Sequence, residues 1–575
     1  VYALANIVGK PVENQTGQAS VYLDGSRDNL AIDPLLTATY HPGAGSPALN
    51  SGAPLRSLLP ATDMLGTSRW TYDSPERGVY EQFVSGVQVY HVSTAVDSIA
   101  NPPNGSLRKA ILDANASGQP AWIQFDTLAQ NCSAPCTIQL AGAPLPDLTV
   151  STFIDGYSYP GAAPNTLDIG SNASIRLIIA ANPYDDPQVA SALVVPAAAS
   201  KVHLEVAGIA FSGFGDYAVS LQGGMAHYLH GNTFGVALPS TGPLFANGGG
   251  VAINSTLAGS ATGVQVGGVL PAEANLIGNA SGTGPGFGIA VAGPAARLIN
   301  NSVGTDASGT AAAANTAYGI GIMGPYADIQ SNVISGNTLG GLWLAASVGA
   351  QVQNNAIGLT WINGALGNGG PGILVDYNSI GNAIGHAGFY QQQNGNRIAY
   401  NNGAAVHVSS GSSNFIAGNS IWSNAGLGID LDTNGPTAND AGDTDNGPNG
   451  LQNTPDLTSA LAIGPFKSRF TTSLNSTPQM NYRLDYYLSE GQCTDPGMLG
   501  QGEIWLGSGY VTTDSSGNAT TTTDLPNAYT YWMTDSTPLF IIATASSYFG
   551  DTSESTTCLP LTKDFLFVNG FDPVY

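Results

Sequence analysis

The chain has 575 residues, 74 of them glycine, with 43% hydrophobic and only 9% charged side chains; this excludes a disordered polyelectrolyte and one ordinary compact domain. The net charge of −24 rests on only 15 Lys and Arg, which form no basic cluster for nucleic acid or an anionic membrane surface. No apolar run of about 18 residues is present, so membrane insertion by a helix is not expected.

The chain opens VYALANIVGK, without Met or a leader, and is expected to be a processed or truncated product. After residue 86 comes the strand-like stretch VQVYHVSTAVDS. NGSLRKAILDANAS (104–117) predicts a helix, with Leu107, Ala110, Ile111 and Ala114 on one face and Ser106 as N-cap. Such a helix is suited to cover the open end of a β-structure. Cys132 and Cys136 follow in NCSAPC, with no nearby His or Cys to complete a zinc site. Together with Cys493 and Cys558 they are expected to form two disulfides in an oxidising compartment; two pairs of free thiols are the alternative.

Residues 275–431 carry an internal repeat, within an expected solenoid at 201–454. Its unit is N-x-I/V, a polar turn, then G-I-x-I/V/L. The first apolar residues of the second strands are Ile289, Ile320, Leu342, Ile373, Val406 and Ile429, separated by 31, 22, 31, 33 and 23 positions. A coil of about 22 residues with occasional insertions of about ten accounts for this series. Alternating apolar residues and Gly/Asn turns predict short strands stacked in a parallel β-helix, with the asparagines bonded along ladders. Residues 455–562 lose the repeat and alternate in Thr/Tyr/Ile-rich runs, which predicts an antiparallel β-sandwich. A short aromatic tail, 563–575, ends the chain.

The segment VSTAVDS…NGSLRKAILDANAS…WIQFD (92–126) resembles the opening of exported bacterial β-helix proteins with a CSLREA-type N-terminal domain. PLPDLTVSTFIDGYSYPG, NSVGTDASGTAAAAN and the run from Gly418 to Pro455 are similar to that family too. The resemblance implies a right-handed solenoid, residues 87–200 forming its cap and first coils, on an extracellular or outer-surface protein. It implies no particular activity. Residues 1–86 resemble the closing segment of another β-helix.

Three groups are candidates for chemistry. In GLGIDLDTNGPTANDAGDTDNGPNG, Asp430, Asp432 and Asn434 sit at alternate positions before Gly435, like the start of a calcium loop. Asp440, Asp443 and Asp445 could complete a calcium shell by folding back. A solvated linker or catalytic acids are the alternatives. In each G-I-x-L strand the x side chain points outward, giving the column Ala290, Gly321, Trp343, Leu374, His407 and Asp430. Trp343, His407 and Asp430 there could bind and cleave a glycan; a surface His beside a lone Trp is the bland alternative. His227 and His230 could ligate a metal, but no third ligand is evident. The sequence thus favours a surface, adhesive or self-assembling β-helix protein that meets a polysaccharide, another extracellular surface or copies of itself. A polysaccharide lyase or glycoside hydrolase is the second reading.

Overall fold

The computed structural model describes residues 87–563, except 130–131, 133–134, 186–187, 255–258, 282–283, 386–394, 433–434, 465, 490–492, 494–498 and 528–538. The expected closing segment 1–86, the tail beyond Lys563 and Asn434 therefore lie outside the described residues. Three long sheets of 11, 10 and 9 strands run side by side, every pairing within them parallel. Successive strands of one sheet come from successive coils, so the chain is a parallel β-helix.

A typical coil carries three strands, and two late ones add a fourth (Ser379–Ile380 and Gly411–Ser412), where the sequence repeat reveals only two. The N-x-I/V units lie on the second sheet, as at Ser302–Val303 and Ala356–Ile357. The G-I-x-I/V/L units lie on the third sheet, as at Ile289–Val291 and Ile373–Asp376. The first sheet is built from strands such as Arg297–Ile299, Asp328–Gln330 and Gln351–Gln353. Each of these sends one apolar residue inward (Leu298, Ile329, Val352), a signal too short to register as a period.

Asparagines at the turns bond coil to coil. One ladder runs through Asn232, Asn275, Asn301, Asn332, Asn355, Asn396 and Asn419. Each Oδ1 accepts from the amide of the coil before it, and each Nδ2 donates onward until Asn419, whose Nδ2 donates back to the Ile384 carbonyl. Burial makes these bonds obligatory, because an unpaired amide inside a protein costs about 1–3 kcal/mol.

The predicted helix spans Leu107–Ser117, and Ser106 Oγ accepts from Lys109 N. Leu107, Ala110 and Ile111 join the solenoid core, so the helix covers its first end. Arg108 is buried as well and forms a two-pronged pair with Asp97, both contacts at 2.7 Å. It also donates to the carbonyls of Ala143 and Pro144.

The other end is covered by the antiparallel sandwich, two four-stranded sheets from Asp456 onward. Gln501 of the sandwich takes the place of a ladder rung. Its Oε1 accepts from Asn424 N and Nδ2, and its Nε2 donates to Asn424 O. Ile421 N donates to Gly502 O, as a strand would to its neighbour. The cysteines pair as expected, Cys132 with Cys136 and Cys493 with Cys558.

Candidate functional site: an aromatic face ending in a carboxylate junction

The third sheet turns inward with Ile289, Ile320, Leu342, Ile373, Val406 and Ile429, all within the core. Its outward column has the register that the alternation predicts: Ala290, Gly321, Trp343, Leu374, His407 and Asp430 are direct neighbours on successive strands. Trp343 is not solitary. Phe287 and Tyr318 lie near-parallel to it, with ring centroids 5.9 and 5.7 Å away, and Tyr377 meets it edge-on at 5.8 Å. Phe287 and Tyr318 occupy the same position, two residues before the first core residue of their strands.

Glycines make room for these rings. A Cβ on Gly340 would stand 2.5 Å from the Tyr318 ring, and one on Gly321 would stand 2.9 Å from Phe287. Phe287, Tyr318 and Trp343 are half-buried, while Tyr377 is 63% exposed. Burial, with Asp376 nearby, raises the Tyr318 hydroxyl above the ordinary phenol range, so it stays a neutral hydrogen-bond donor. Sequence reading missed Phe287, Tyr318 and Tyr377 because only the position after the core residue was followed along the strands.

Below the rings the column ends in His407 and Asp430. Their strands pair directly, about 4.8 Å apart. They do not form a hydrogen-bonded dyad: His407 Nε2 contacts the Asp432 carbonyl oxygen at 2.6 Å. One Asp430 carboxylate oxygen is buried without a hydrogen-bond partner. Burial raises the Asp430 carboxyl, with His407 opposing and Asp432 adding to the shift. Glu554 of the sandwich reaches the same coil end and accepts from the amides of Leu431 and Thr437.

The acidic stretch divides in two. Asp440, Asp443 and Asp445 each offer a carboxylate oxygen within 4.8 Å of the others; Asp430 and Asp432 are not part of that group. Asp440 is held by Thr444, whose hydroxyl keeps its carboxyl below the usual range. Asp443 accepts from Asn453 N and Ser476 Oγ, yet burial raises it, with Asp445 and Asp440 adding. Burial and Asp440 also raise Asp445, one of whose oxygens is buried without a partner. The structure therefore divides the proposed calcium ligands between the last coil and the junction.

His227 and His230 do not converge on one centre. His227 is fully buried, with Nδ1 accepting from Leu204 N and Nε2 against the Gly223 carbonyl. Burial pushes it down to about 4 from 6.5. His230 instead contacts Glu205 at 3.1 Å. A folded-state value below the unfolded one means that protonation favours unfolding. The stability supplied by His227 is therefore present above about pH 6.5 and lost as the pH falls towards 4. A melting series from about pH 7 to 4 is expected to show this loss, and His227→Gln is expected to flatten it.

Residues 251–437 match the profile of a family described as periplasmic copper-binding protein (NosD), which covers less than half of the chain. No curated protein matches. Similar solved structures include the Dettilon tailspike protein gp208, at 13% identity and TM-score 0.30, covering 76% of this chain and 94% of that one. Tailspike gp49 from the Acinetobacter baumannii bacteriophage Fri1, a capsular polysaccharide depolymerase, matches at 10% identity and TM-score 0.27, covering 84% and 85%. The enzymatically active domain of tailspike protein 2 from bacteriophage CBA120 matches at 11% and 0.20, covering 77% and 72%. Resemblances this loose support no assignment of activity.

Proposed function

We propose that this chain is an exported polysaccharide-binding β-helix protein that holds a glycan on the outer face of its third sheet. The observation that carries the reading is the cluster of Phe287, Tyr318, Trp343 and Tyr377, drawn from four successive coils. Sugar rings stack their C–H faces on aromatic side chains, and partly exposed rings supply that surface without rearrangement. Two disulfides support an oxidising compartment, as does the periplasmic family matched by residues 251–437. Copper binding gains less support. Copper favours imidazole, thiolate and thioether ligands, and the matched segment carries only His386, His407 and Met323.

Binding is favoured over cleavage because His407 contacts a backbone carbonyl rather than Asp430. Trp343→Ala is expected to weaken retention on a bound polysaccharide about tenfold, as measured by affinity electrophoresis. Release of reducing or unsaturated ends by the wild type, absent in His407→Ala, would instead establish the lyase or hydrolase reading.

Calcium at Asp440, Asp443 and Asp445 is a second element of the proposal, favoured by the unpartnered Asp445 oxygen. Calcium at a hundredfold excess over Kd is expected to stabilise the EDTA-treated chain by about 2.7 kcal/mol. Asp443→Asn is expected to abolish that gain. An unchanged melting temperature, with no heat on titration, would leave the triad a solvated junction.

A further inference from the structure

We infer that the glycan held by this face is an electrically neutral polymer; this inference rests on the proposed polysaccharide binding and adds the class of ligand. The first observation is charge. None of the nine strands of the third sheet carries a Lys or Arg. The charged groups on those strands, beside or below the rings, are Asp376 and Asp430. Asp376 lies close enough to Tyr318 to raise its hydroxyl, and its carboxylate accepts from Tyr377 N and Ser410 Oγ. At the coil end Asp432 and Glu554 add negative charge beside Asp430.

A uronate, sulfated or phosphorylated glycan would bring like charges against these carboxylates, with no Lys or Arg on the sheet's strands to offset them. An uncharged sugar meets no such cost. Its hydroxyls can donate to carboxylate oxygens at the margins while its C–H faces cover the rings.

The second observation is extent. Phe287, Tyr318, Trp343 and Tyr377 belong to four successive coils and shift from before the first core residue of the strand to beyond its end, so the rings cross the sheet obliquely and span several coils. The ring centroids step 5.9 Å from Phe287 to Trp343 and 5.8 Å on to Tyr377, so the aromatic track spans at most about 12 Å. That is a length for a stretch of polymer, not for a single sugar. Glycines at 321 and 340 keep the track free of side chains that would stand between the rings.

The test is affinity electrophoresis of the full chain in gels containing neutral polymers (hydroxyethylcellulose, galactomannan, xyloglucan, dextran) or anionic ones (polygalacturonate, alginate, hyaluronan). Each gel is run at roughly 0.05 and 0.5 M salt, across which exposed charge interactions are screened. The expected result is retardation by a neutral polymer only, unchanged by salt. It should weaken about tenfold in Trp343→Ala and severalfold in the more exposed Tyr377→Ala. Retardation by an anionic polymer that both variants weaken would overturn the neutral class and leave the aromatic face as the binding site. Retardation unchanged in both variants, or absent with every polymer, would overturn the aromatic face itself.

Discussion

Arg108→Ala is expected to destabilise the chain by about 3–5 kcal/mol, because it strands a buried carboxylate. Arg108 fills four roles at once: two contacts to Asp97 and two donations to the carbonyls of residues 143 and 144. The Asp97 side chain is almost fully buried, so water cannot replace the lost guanidinium. The loss should fall on the capping helix and the strand Gln88–Thr94, against which the helix packs. Urea unfolding should show an earlier midpoint, and hydrogen exchange should speed up in the helix first. Replacing both partners, as Asp97→Leu with Arg108→Met, should recover much of the stability, since a buried ion pair contributes little net energy over an apolar pair. A double variant as unstable as Arg108→Ala would mean that the carbonyl contacts, not the ion pair, dominate.

Asn355→Leu is the second large expected effect. Asn355 is fully buried in the middle of the ladder. Its Oδ1 accepts from Asn332 N and Nδ2, and its Nδ2 donates to the carbonyls of Ile329 and Gln353 and to Asn396 Oδ1. Leucine would leave several buried polar groups without partners, each costing about 1–3 kcal/mol. The expected destabilisation is at least about 3 kcal/mol, read from the shift in urea midpoint. Asn355→Asp keeps the acceptor but loses the donor and places a charge in the interior, so it should be no milder. A destabilisation below about 1 kcal/mol for the leucine variant would show that the ladder is dispensable at this coil.

These two sites also show which parts of the fold were legible. The helix was readable because Leu107, Ala110, Ile111 and Ala114 recur at helical spacing behind a serine cap, and the structure buries all four. The third-sheet column was readable because alternation fixes which side chain points out, and stacking preserves that register. The first sheet was not, since one inward apolar residue per strand sets no period. Nor was the aromatic face: Phe287 and Trp343 are 56 positions apart in sequence, and only the coiling brings their rings to 5.9 Å. The acidic stretch looked like a single cluster because its members are close in sequence. In the structure, Asp430 belongs to the last coil while Asp443 is bonded into the base of the sandwich through Ser476.

Gln501 has a bearing on how such chains lengthen. It contacts only the end of the last coil, the amide pair and carbonyl of Asn424 and the carbonyl of Gly426, and is blind to everything further back. At the opposite end, the capping helix is likewise fastened to its own neighbourhood, Asp97 and residues 143 and 144. Neither terminus measures the distance to the other. Duplicating or deleting a whole coil between them leaves both fasteners intact, provided the final rung still ends in asparagine. The two lids are thus fixed hardware on a column of adjustable height, and the aromatic track can grow or shrink without either lid being rebuilt.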